Sequence, residues 1–63
     1  MFSTPFIRDW RFYELLARMT ARHYRENGGK IYTAVVSACE EYGASFSDSE
    51  MGYIKDVAET LYI

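Results

Sequence analysis

At 63 residues the chain has room for one domain, and folding so short a polypeptide hides only about 60% of the surface it would expose unfolded. Apolar residues make up 49% of it and charged residues 25%, with four Gly and one Pro, which is the composition of a folded globular domain and excludes a disordered tail. One cysteine, Cys39, and one histidine, His23, exclude an intramolecular disulfide, a thiolate zinc cluster and most nucleophile-plus-base arrangements, and a net charge of −2 makes the whole chain mildly acidic.

The chain opens on Met1 to Ile7, which lack the basic leader, apolar stretch and small-residue cleavage site of a secretory signal. Met1 is therefore read as a mature start and the cytoplasm as the compartment. No run of about 18 apolar residues follows that could span a bilayer. Apolar residues recur at helical spacing in three places and alternate in none, so the expected fold is all-α, a small antiparallel three-helix bundle with helices at about 5–26, 30–42 and 48–62.

The first helix is expected to start near Thr4 and Pro5, a capping threonine followed by a residue suited to the first helical position, with Asp9 as the alternative cap. Asn27, Gly28 and Gly29 supply the left-handed conformations that end it. At 100° per residue, Phe12, Leu15, Leu16, Met19 and His23 fall on one arc, and Trp10, Tyr13, Ala17, Ala21 and Tyr24 on an adjoining one. The polar strip left over carries Arg11, Arg18, Arg22 and Arg25. Two arcs suit a helix that touches both of the others, with the arginines on the solvent side. The alternative is that the arc of Trp10, Tyr13 and Tyr24 is partly uncovered and meets another protein, because Trp, Tyr and Arg dominate binding energy at interfaces. Ala17 and Ala21 would let a further helix approach closely, either from this chain or from a second copy.

The second helix is expected over Lys30 to Tyr42, with Ile31, Val35, Ala38, Cys39 and Tyr42 inward, Thr33, Ser37, Glu40 and Glu41 outward, and Gly43 as its stop. Cys39 falls on the apolar side, which argues against its use as a nucleophile. The third helix has the clearest start signal: Ser47 and Glu50 stand at the spacing of a capping box, and Phe46 and Met51 at that of a hydrophobic staple. Met51, Ile54, Val57, Ala58 and Leu61 form its apolar stripe, while Tyr53, Asp56 and Thr60 lie on the outer side.

Charge divides unevenly along the chain. Residues 1–30 carry six basic side chains against three acidic ones, and residues 31–63 carry Lys55 against six carboxylates, so a basic helix is joined to an acidic pair. Such a dipolar surface steers and orients partners. Asn27-Gly28-Gly29-Lys30 is too short for a phosphate-binding loop, and Asp48 with Glu50 lacks the ligand ladder of a calcium loop.

With no catalytic, metal or cofactor set in view, the residues point to a small non-enzymatic protein-binding module, an inhibitor or regulator of a larger and potentially nucleic-acid-processing complex. Compact acidic helical proteins of this general type are common among those carried by bacteriophages and mobile elements. The expected partner-binding residues are Trp10, Tyr13 and Tyr24 as apolar anchors, Arg11, Arg18, Arg22 and Arg25 for orientation, and Tyr53 and Asp56 on the acidic face. A shared interface in a homodimer would extend so small a core. The alternative is nucleic-acid binding through the arginine strip, set against the carboxylates that a DNA-reading third helix would turn toward phosphates.

Overall fold

A computed structural model describes residues 9–63, which form three packed α-helices: α1 (Trp10–Asn27), α2 (Ile31–Tyr42) and α3 (Asp48–Leu61). The expected cap at Thr4 and Pro5 lies outside the described residues. Asp9 caps α1: its backbone is extended, and its Oδ1 accepts from the amides of Arg11 at 3.0 Å and Phe12 at 3.2 Å. The carboxylate thus satisfies two of the amides that every helix start leaves without partners.

Glycines end the first two helices. Gly28 and Gly29 have φ of 69° and 78°, a region disfavoured for residues with a Cβ, and the Gly28 amide donates to the Tyr24 carbonyl at 2.8 Å. Gly43, left-handed at φ 90°, closes α2 by donating to the Cys39 carbonyl at 3.0 Å. Lys30 stands just outside α2 as its N-cap, without a side-chain cap bond.

The start of α3 follows its sequence signal closely. Ser47 Oγ accepts from the Glu50 amide at 3.1 Å, and Glu50 Oε1 accepts from the Ser47 amide at 2.9 Å, closing the capping box. Phe46 and Met51 both pack against the core, which fixes the angle at which the chain enters α3.

The core gathers Phe12 and Leu16 from α1, Val35, Ala38 and Cys39 from α2, and Ile54 from α3. Leu16, Val35 and Ile54 have no solvent exposure, and buried alanines at 17, 21, 34, 38 and 58 let the helix backbones come close. α1 packs along both other helices, which touch each other less. Ala17 and Ala21 are therefore filled from within the chain, and the two-arc geometry serves mainly internal packing. Both ends of α3 are tied to one short stretch of α1, since Tyr13 reaches Glu50 while Glu14 and Arg18 reach Tyr62. α3 consequently passes obliquely across the first half of α1.

Three side chains depart from the expected faces. Leu15, placed on the inward arc, is 44% exposed; it lies about 100° around the helix from Leu16, at the border of the buried face. Thr20 is fully buried between the two arcs, and its hydroxyl donates to the Leu16 carbonyl at 2.8 Å, so burial leaves no polar group unpaired. Leu61, placed on the inward stripe of α3, is 59% exposed near the end of that helix. No helix among the described residues is long and apolar enough to cross a membrane.

Candidate protein-binding face

Where α1 and α3 begin side by side, Asp9, Trp10, Tyr13, Ser49, Glu50 and Tyr53 line an open cleft of about 430 Å³. Trp10 is 65% exposed and Tyr53 48%, unusual values for large rings in a chain whose core is this small. Between them Tyr13 is half-buried and fixed on several sides. Its hydroxyl donates to Glu50 Oε2 at 2.9 Å, its ring meets Tyr53 edge-on at 5.1 Å, and it meets Phe12 of the core edge-on at 5.2 Å. Two capping residues, Asp9 and Glu50, set the cleft's walls, so the signals that start the helices also place its carboxylates.

A second, shallower cleft continues from Tyr53 along α3, lined by Asp56, Val57, Thr60 and Leu61. Trp10, Tyr53 and Leu61 thus mark one exposed face, with Asp56 beside it. Tyr24 does not join it: it sits 14 residues beyond Trp10, about 21 Å along the helix, and is half-buried.

The arginine strip does not stand free. Arg11 pairs with Asp9 at 3.2 Å. Arg18 reaches Glu14 at 3.4 Å and donates to the Tyr62 hydroxyl at 3.1 Å, and that hydroxyl in turn donates to Glu14 at 2.8 Å. Arg22 pairs with Glu41 across to α2, where His23 Nε2 also lies 2.8 Å from Glu41 Oε1. Arg25 is exposed in the last turn of α1. The basic half of the sequence is therefore largely spent on holding the acidic half, each exposed pair contributing at most about 1 kcal/mol. Cys39 is buried in the core, away from any role at the surface.

Two carboxyls carry a pH dependence. Hydrogen bonds from His23 and then Arg22 hold Glu41 below the ordinary glutamate range, and the Phe12 amide, aided by Arg11, holds Asp9 below the ordinary aspartate range. A carboxyl whose pKa is depressed by folding contributes stability that is complete above its unfolded value and disappears as pH falls through its folded value. Urea midpoints are therefore expected to fall on acidification below about pH 4. The double variant Asp9→Asn, Glu41→Gln is expected to show a shallower fall between pH 5 and pH 2; parallel curves for the two proteins would show that neither carboxyl carries the effect.

Sequence reasoning named Trp10, Tyr13, Tyr53 and Asp56, and the fold brings the first three into one cleft. It missed Asp9, Ser49 and Glu50 as wall residues and Leu61 as an exposed one. No protein-family model, curated protein or solved structure matches this chain.

Proposed function

We propose that this domain is a non-enzymatic protein-binding module that regulates or inhibits a larger protein by occupying part of its surface with the face formed by Trp10, Tyr13 and Tyr53. The observation that carries this reading is the placement of an exposed Trp and an exposed Tyr in one concave cleft, on a floor held by Tyr13. Aromatic rings of this kind supply large contact area and a hydrogen-bonding tip for little loss of conformational freedom. Tyr53, Asp56 and Leu61 extend the contact along α3.

Nucleic-acid binding receives less support. Arg11, Arg18 and Arg22 already face carboxylates within the chain, and both exposed clefts are edged by Asp9, Glu50 or Asp56, which repel phosphate. The test is capture of partners from lysate by the tagged chain, with and without nuclease, alongside a Tyr53→Ala, Asp56→Arg variant. The expected result is a defined protein that survives nuclease and is lost with the variant. Complete loss on nuclease treatment would transfer the function to the arginines and nucleic acid.

A further inference from the structure

The cleft combines two features that rarely serve the same purpose by chance: exposed π faces and carboxylates. Trp10 and Tyr53 present partly exposed rings, while Asp9 and Glu50 bring negative charge to the walls, and Asp48 adds another carboxylate in the first turn of α3. Aromatic faces attract cations, most strongly where water is partly displaced. The helix starts beside the cleft would ordinarily favour an anion, but the amides of Arg11 and Phe12 are already bonded to Asp9 and that of Glu50 to Ser47. What this end of the molecule offers a ligand is therefore aromatic surface and carboxylate oxygen. The Arg11 side chain, which faces Asp9, is itself 74% exposed, so its pair is weak enough for a better-placed cation to replace.

We propose that this cleft binds a guanidinium group, the arginine side chain of a basic segment on the partner protein, stacked on Trp10 and Tyr53 and charge-paired to Glu50 and Asp9. A planar guanidinium both stacks on rings and bonds carboxylates in a fork, whereas an ammonium acts as a compact, strongly hydrated point charge, which selects arginine over lysine. The open shape and volume of about 430 Å³ suit one side chain presented from a surface. For the identity of its carrier this inference rests on the protein-binding reading; the chemistry of the cleft is tested without it.

Trp10 is the only tryptophan in the chain, so its indole N–H gives a single reporter inside the cleft. The experiment titrates the full chain, ¹⁵N-labelled, with N-acetyl-arginine amide, its neutral isostere N-acetyl-citrulline amide, and N-acetyl-lysine amide. The expected result is a saturable shift of the Trp10 indole and of the amides around Glu50 and Tyr53 with the arginine probe, at least about tenfold weaker with the other two. The variant Asp9→Asn, Glu50→Gln removes both charges while keeping residue types that cap helix starts, and it is expected to retain the wild-type helix content and to lose arginine affinity by at least about tenfold. Equal responses to arginine and citrulline, an unchanged affinity in the double variant, or shifts centred elsewhere would overturn the cation site. A lysine response as strong as that of arginine would overturn the guanidinium preference. If a captured partner depends on Trp10 and Tyr53 yet binds the double variant as well as wild type, the cation inference fails while the protein-binding reading stands. If partner binding ignores both rings, that reading fails, and the arginine titration alone decides the cleft.

Discussion

Leu16→Ala is expected to abolish cooperative unfolding, leaving a chain that loses helix content gradually on heating. Leu16 has no solvent exposure and belongs to the one cluster that joins all three helices, alongside Phe12, Val35, Ala38, Cys39 and Ile54. Removing a buried leucine's outer carbons costs about 2–5 kcal/mol, from lost transfer energy and the cavity left behind. A single core in a domain below about 70 residues supplies roughly 3–5 kcal/mol in all, so the loss is comparable to the whole stability. The neighbouring alanines cannot fill the space, and Cys39 and Ala38 are too small to move into it. Thermal unfolding followed by circular dichroism at 222 nm checks this. A sharp transition shifted by only a few degrees would mean that stability resides elsewhere, as in an interface with a second copy.

Trp10→Ala is expected to do the opposite, leaving stability within about 0.5 kcal/mol of wild type while weakening partner binding by about 2 kcal/mol or more, roughly thirtyfold. The ring is 65% exposed and stands at the first position of α1, and the cap that starts the helix belongs to Asp9. Removing it therefore disturbs neither the core cluster nor the cap bonds. Tyr53→Ala, at 48% exposed, is expected to act similarly. Tyr13 is a poorer probe of the same face, because its ring also packs against Phe12 and its hydroxyl holds Glu50, so truncating it mixes recognition with stability. If Trp10→Ala lowers the melting temperature as far as a core substitution does, the ring is structural and the face has been misassigned.

What could be read from the sequence was what short-range chemistry dictates. Ser47 and Glu50 close a capping box because each reaches the other's backbone over three residues, and no distant part of the chain is needed. Gly28, Gly29 and Gly43 end helices for a reason equally local, their positive φ. Periodicity found the inward faces but blurred at their borders, where a hydroxyl with a backbone acceptor, Thr20, is buried in full while a leucine one border away, Leu15, is not. Residue polarity alone cannot order these two, since the hydrogen bond to the Leu16 carbonyl removes most of the cost of burying threonine.

The cleft was beyond the same reasoning because it is tertiary. Trp10 and Tyr53 were each recognisable as interface-type residues, but they lie 43 positions apart, and only the oblique crossing of α3 over α1 sets them on one surface. The arginines show the converse. Their strip is legible at helical spacing, yet the residues that engage it, Glu41 on α2 and Tyr62 beyond α3, come from the far half of the chain. A stripe that looks ready for phosphate in one dimension becomes part of the packing in three.

The measurement that tests the account most directly is the affinity of a purified captured partner for wild type, Trp10→Ala and Tyr53→Ala, with each protein's unfolding free energy determined in parallel. The account predicts that both variants fold as stably as wild type and bind at least about thirtyfold more weakly. Variants that are equally stable and bind with wild-type affinity would contradict it, and would show that the cleft of Trp10 and Tyr53 is not the surface through which this domain meets its partner.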